Sequence, residues 1–132
     1  MKDRYELRFF EDVLQWINGL REKDLESYHH VVAALERLQE GGPALRRPSV
    51  GAIDGSRYRN MRELRPRSGA TVSIRLLFVF DPARRAIFLV AGDKAARRQW
   101  DSWYPKAIRE ADRKYTAYLE ALEKEDGNDD SR

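Results

Sequence analysis

Three cations carry the chemistry this chain can do: Arg65, Arg75 and Lys94. They are spread along Met61 to Lys94, a stretch that reads as three antiparallel strands in series, with Pro66, Ser68 and Gly69, then Asp81 and Pro82, in the gaps. On such a sheet they can converge on the open face and one end, with Arg97 and Arg98 close by in sequence. Arginine forks pair bidentately with phosphate oxygens and stabilise the negative charge that builds during phosphoryl transfer. An RNA brings its own nucleophile, the 2′-hydroxyl. Cleavage then needs a base for that hydroxyl, cations around the pentacoordinate phosphorus, an acid for the leaving oxygen and an in-line geometry, and no metal ion. A lysine ringed by arginines loses proton affinity to like charge, which suits Lys94 to the role of base. Taken singly, each arginine has a plainer use as the partner of a glutamate or as a solvated strand face. Only their grouping points to phosphate.

Trp100, Trp103 and Tyr104 can stack on unpaired bases, a contact worth roughly 1–3 kcal/mol per base. They can equally pack the last helix against the sheet; packing is the better reading of Trp103, and Tyr104 stays open between the two. Tyr115 and Tyr118 lie on a helical apolar stripe and read as core with a hydroxyl at the rim. His29 and His30 are adjacent, so on a helix they point about 100° apart and do not share a metal. There is no Gly-rich phosphate loop, paired-carboxylate pattern, nucleophile elbow or run of metal ligands. No cofactor is expected.

The elements that must position these groups follow from periodicity. Arg4 to Phe9 alternates, with Tyr5, Leu7 and Phe9 on one side, as a half-buried edge strand does. From Phe10 the period changes, and Phe10, Val13, Leu14, Ile17 and Leu20 share a helical face. Asp24 can cap a second helix with the stripe Leu25, Tyr28, Val31, Val32, Leu35 and Leu38, stopped by Gly41, Gly42 and Pro43. The two make an antiparallel hairpin. Residues 44–57 connect to the sheet, with a short extended piece at Val50 to Ile53. In the second long strand Val72, Ile74, Leu76, Phe78 and Phe80 form an apolar face and Arg75 points away from it. A hairpin pairing Arg65 with Thr71 sets Glu63 against Ser73 and Met61 against Arg75, and so groups Arg59, Glu63, Arg65 and Arg75; any even shift preserves that grouping. The third strand, Arg85 to Ala91, is nearly all apolar and reads as central or covered on both sides, with Lys94 just past its end. Residues 93–100 read as a loop or one helical turn. Pro105 suits the first turn of a last helix carrying Ile108, Ala111, Tyr115, Tyr118, Leu119 and Leu122.

Composition bounds the answer. With 132 residues, 42% hydrophobic and 36% charged, the chain suits one folded domain, residues 1–124, with a disordered acidic tail at 125–132. A net charge of only +3 hides a middle crowded with arginines, which favours a polyanion such as nucleic acid. The absence of cysteine excludes disulfides and thiolate zinc. Without a signal-peptide core or a membrane-length apolar run, a cytoplasmic location is expected.

The ordered set MRELRPRSG, SIRLLFVFDPARRAIFLVAGDK and WDSWYPKAIREADRKYTAYLEAL resembles the RelE/ParE superfamily of toxins from type II toxin-antitoxin systems, in its HigB-like, phage-derived branch. The pattern is an E-L-R strand, an Arg before apolar residues, a strand ending in G-D-K, a W-Y pair, and a helix with A-D and a late aromatic or His. The amino-terminal helical hairpin agrees as well. The resemblance implies an α+β, RelE-like fold, a helical hairpin and a C-terminal helix packed on a curved, mainly antiparallel sheet with helices on one side. It also implies a ribosome-dependent mRNA endoribonuclease that works by metal-independent attack of the 2′-hydroxyl. Its partners would be a helix-turn-helix antitoxin, mRNA and the ribosome. The alternatives are a ParE-like, non-catalytic inhibitor of DNA gyrase and a non-toxic RNA-binding relative.

Carried onto this chain, Arg65 and Arg75 hold phosphate and transition-state charge and Lys94 acts as base or electrostatically. The proton donor is Tyr104 or Tyr118, the latter standing where relatives often place a His. Asp112 falls in the A-D pair. Where other relatives carry a double Lys, this chain has Asp93 before Lys94 and Ala95 after it. Arg59, Arg62, Glu63, Arg97, Arg98 and Trp103 are the candidates to bind RNA.

Overall fold

The computed structural model describes residues 4–46, 48–66, 73–95 and 102–130, the last five by their backbone alone. Among these, β1 (Glu6–Phe9) leads into α1 (Glu11–Lys23) and α2 (Leu25–Gly41). A 3₁₀ turn at Gly42–Ala44 follows, then β2 (Val50–Ala52), β3 (Arg62–Leu64), β4 (Ile74–Asp81), β5 (Arg85–Asp93) and α3 (Trp103–Asp130). The five strands form one sheet in the order β1-β5-β4-β3-β2. β1 runs parallel to β5 and every other pair is antiparallel.

Local chemistry accounts for the hairpin of helices. Asp24 caps α2 through Oδ1, which accepts the Ser27 N–H at 3.2 Å, while Oδ2 accepts the Ser27 hydroxyl at 2.6 Å. Gly42 ends α2 with φ +57, where a Cβ would also run into the Tyr5 ring. Gly19 does not end α1, which continues to Lys23. One interior glycine weakens a helix without stopping it.

Alternation along β4 divides the core into two layers. Ile74, Leu76 and Phe78 pack with Val13, Ile17, Val31, Leu35 and Leu38 of α1 and α2. Leu77 and Val79 point the other way and pack with Ala107, Ile108, Ala111 and Tyr115 of α3. The sheet is therefore covered on both faces, by the hairpin on one and α3 on the other. This corrects the expectation of helices on one side: β4 and β5 are apolar on both faces, so each face needs a cover. β5 lies inside the sheet between β1 and β4 and is covered on both faces, as its composition requires, with Phe88, Leu89 and Ile87 all buried.

Register departs from the simplest hairpin. Glu63 pairs with Leu77 and Leu64 with Leu76, not Glu63 with Ser73, a shift of four positions. Being even, it leaves Glu63, Arg65 and Arg75 on one face, the face under α3. Arg59 falls outside that group, exposed in the turn before β3. Thr71, the expected partner of Arg65, lies outside the described residues. A bulge between Leu77 and Phe78 makes Leu89 an extra residue on β5. Its carbonyl accepts the Lys114 ammonium at 2.8 Å, and the same ammonium reaches Asp12 of α1 at 2.6 Å. One buried cation thus ties α3, β5 and α1 together.

α3 continues through 125–130, where composition predicts a disordered tail; the segment holds no proline, and each added helical residue gains a hydrogen bond. No helix among the described residues is long and apolar enough to cross a membrane.

Candidate active site

β3 and β4 set two residues of the site side by side under the start of α3. Glu63 is 3% exposed, and its carboxylate is the hub. Oε2 accepts both Arg65 Nη2 at 2.7 Å and Nε at 3.1 Å, one oxygen held in the fork of the guanidinium. Oε1 accepts the Tyr104 hydroxyl at 2.6 Å and faces Arg75 Nε at 3.5 Å. Arg75 is steadied by Nη1 donating to its neighbour's carbonyl, Ile74 O, at 2.8 Å. Its Nε is buried and makes no hydrogen bond. The third cation comes from the turn after β5, where the Lys94 backbone N–H bonds Ser73 O at 3.0 Å. Lys94 Nζ stands 5.6 Å from the centre of the Tyr104 ring.

Two glycines make room for this arrangement. Opposite Glu63, Gly51 of β2 lies beneath the Arg65 guanidinium, which a Cβ there would meet at 2.7 Å. Opposite Arg75, Gly92 of β5 lies beneath the Trp103 indole, whose Nε1 a Cβ would meet at 2.8 Å. Trp103 is therefore a packing residue, seated on the strand and edge-on to Tyr104 with centroids 5.1 Å apart. A glycine inside a strand pattern is the sequence signal for such close approach.

Burial and charge tune the titrating groups. Burial, then the Arg75 guanidinium and more weakly Arg65, lowers the proton affinity of the Lys94 ammonium, while Glu63 works in the opposite direction. The Tyr104 phenol is pushed up to about 12 by burial and by its hydrogen bond to Glu63. It therefore keeps its proton at neutral pH.

Arg65, Arg75, Lys94 and Tyr104 are thus gathered around Glu63, and Tyr118 is not with them. Its hydroxyl donates to Asp81 Oδ2 at 3.1 Å, at the far end of β4. Asp81 is six residues from Arg75, roughly 20 Å along an extended strand. Tyr118 therefore belongs to a second buried carboxylate, which also takes Arg85 Nε at 2.7 Å, and to the seating of α3. Arg62 lies on the opposite face of β3 from Glu63, its Nη1 donating to Arg59 O at 2.9 Å and Met61 O at 3.0 Å. Arg97 and Arg98 lie outside the described residues. Asp112 has a structural task that its motif position does not reveal. It accepts Ser56 Oγ at 2.6 Å and the Arg57 N–H at 2.9 Å, fastening the loop before β3 to α3. Among the described residues no cluster of three His, Asp or Glu is arranged to hold a metal ion.

These features coincide with known sequences and folds. The family described as "Phage derived protein Gp49-like" matches residues 15–116. A Mycobacterium tuberculosis protein named "Putative toxin HigB2" is 48% identical over 113 residues, which cover 86% of this chain and 54% of that protein. The chain thus spans about half the length of that relative. A second protein of the same organism, "Putative toxin HigB3", is 42% identical over 107 residues, covering 81% of this chain and 87% of its own. Among solved structures, a free double arginine-to-alanine mutant of the Escherichia coli toxin RelE superposes with a TM-score of 0.53. It is 18% identical and covers 80% of this chain and 98% of its own, a likeness of fold. By its sequence the chain belongs to the phage-derived Gp49-like family, homologous to the HigB2 and HigB3 toxins, and by its architecture it has the RelE fold.

Proposed function

We propose that the protein is the toxin of a type II toxin-antitoxin system, an endoribonuclease that cuts mRNA on the ribosome and is held inactive by a helix-turn-helix antitoxin. The observation that carries this reading is the convergence of Arg65, Arg75, Lys94 and Tyr104 on one end of the α3 face. In this reading, neutral Lys94 takes the proton of the RNA 2′-hydroxyl, and the freed oxygen attacks the adjacent phosphorus. The P–O5′ bond breaks in line, leaving a 2′,3′-cyclic phosphate. Tyr104 gives its proton to the departing 5′-oxygen, and Arg65 and Arg75 stabilise the charge on the non-bridging oxygens. Burial and the two arginines ease the loss of the Lys94 proton, and Tyr104 holds a proton to give, the directions these roles require.

The test is to induce the chain in cells and map RNA 5′ ends. Translation-dependent cuts that disappear in Arg75→Ala and Lys94→Ala support the reading. Intact mRNA with blocked DNA supercoiling would instead assign the fold to a gyrase inhibitor, a task for which phosphate-reading arginines have no use.

A further inference from the structure

The sequence nominates Glu63 as an RNA contact, yet it is a buried anion in a site built for an anion. Its side chain is 4% exposed and both oxygens are engaged, Oε2 by the Arg65 fork and Oε1 by the Tyr104 hydroxyl, with Arg75 Nε close by. So buried and occupied, the carboxylate presents no open face to a 2′-hydroxyl, and a phosphodiester approaching it would be repelled. What it can do is hold two guanidinium groups that would otherwise repel each other, leaving their remaining N–H groups for a second anion. We propose that Glu63 is the positioning residue of the site: it sets Arg65, Arg75 and Tyr104 in register for a phosphodiester and never itself touches the RNA.

The arrangement favours this over a plain structural ion pair. Arg75 Nε is buried without a hydrogen bond, 3.5 Å from Glu63, so the carboxylate orients that guanidinium without satisfying it. Gly51 vacates the space the Arg65 guanidinium needs to reach Glu63. Glu63 also acts on Lys94, which among the described residues has Arg75 on β4, Arg65 beyond β3, Tyr104 on α3 and Asp93 of β5 nearby. The Asp93 carboxylate is turned to the Ala95 N–H at 2.9 Å. Glu63 is the carboxylate that raises the proton affinity of Lys94 against the two arginines.

The proposal rests on the nuclease reading, and the test separates the two. Full-length Glu63→Gln is compared with wild type for inorganic phosphate binding, for Lys94 titration by NMR and for RNA cleavage across pH, with thermal unfolding confirming that it folds. Losing one negative charge beside two arginines is expected to tighten phosphate binding about tenfold, while disordered positioning lowers cleavage about a hundredfold. Lys94 titrates at lower pH in the variant, and the acid limb of the rate profile moves down with it. Glu63→Asp, which keeps the charge, is expected to bind phosphate as wild type does. Weaker phosphate binding in Glu63→Gln, an unmoved Lys94, or an acid limb that vanishes would each overturn the proposal, the last by making Glu63 the base. If wild type cuts no RNA, the nuclease reading fails and the phosphate and NMR results still judge Glu63. Should Glu63→Gln fail to fold, the Glu63→Asp phosphate and NMR measurements decide, with Lys94 titrating as in wild type if the charge is what positions the site.

Discussion

At the scale of single residues, two tyrosines of α3 make the same bond for different ends. Tyr104 donates to Glu63 among the cations, and Tyr118 donates to Asp81 at the far end of the sheet. Tyr104→Phe is expected to lower RNA cleavage about a hundredfold, the usual worth of a positioned acid. Tyr118→Phe is expected to cost about 1 kcal/mol in denaturant unfolding, the worth of one hydrogen bond, with cleavage unchanged. Lys94 bears on stability as well. Its folded-state proton affinity is lowered, so between that lowered value and the ordinary 10.5 the unfolded chain binds more protons and stability rises with pH. Below that window the cost of a charged Lys94 is felt in full. Lys94→Met is therefore expected to melt higher than wild type at pH 7, the difference shrinking as the pH approaches 10.5, as thermal scans at the two pH values will show.

At the scale of elements, the glycines of the strands and caps bear on the site and on the fold in different measure. A Cβ at Gly51 meets the end of the Arg65 side chain, so Gly51→Ala is expected to move Arg65 off the buried Glu63, reducing cleavage and costing about 1–3 kcal/mol in unfolding for the hydrogen bonds that carboxylate loses. Gly42→Ala is expected to cost about 2–4 kcal/mol, because a positive φ and the Tyr5 ring both oppose a side chain. The tie through Lys114 invites a similar contrast. Lys114→Ala removes a 9%-exposed cation from Asp12 and from the bulge carbonyl of Leu89, an expected loss of about 2–3 kcal/mol. Arg113→Ala, on the exposed neighbour of that turn, is expected to change unfolding by less than about 0.5 kcal/mol.

At the scale of the molecule, α3 runs along one face of the sheet from the Glu63 cluster to Asp81, so fold and site share one scaffold. The cations sit at one end, where the β5 turn, β4 and the end of β3 meet, and a single-stranded partner held there releases counterions. With about three phosphates neutralised, single-strand affinity is expected to fall roughly tenfold or somewhat more between 50 and 200 mM salt, from a slope near 0.7 per phosphate. Fluorescence titrations at the two concentrations measure it.

Much of this was legible in the residues because it is local. Period-2 alternation put Arg75 on the face opposite Ile74, Leu76 and Phe78, and an even register shift could not undo the grouping of Glu63, Arg65 and Arg75. Asp24 and Gly42 marked the ends of α2 because caps act within a single turn. What only the tertiary structure decided depends on contacts distant in sequence. The stripe of α3 says that it buries a face, but β4 and β5 are apolar on both sides, so packing alone chose the face opposite the hairpin. The same choice placed Tyr104 on Glu63 of β3 and Tyr118 on Asp81 at the far end of β4, and made Glu63, an ordinary strand residue by its spacing, the buried anion that two arginines and a phenol share.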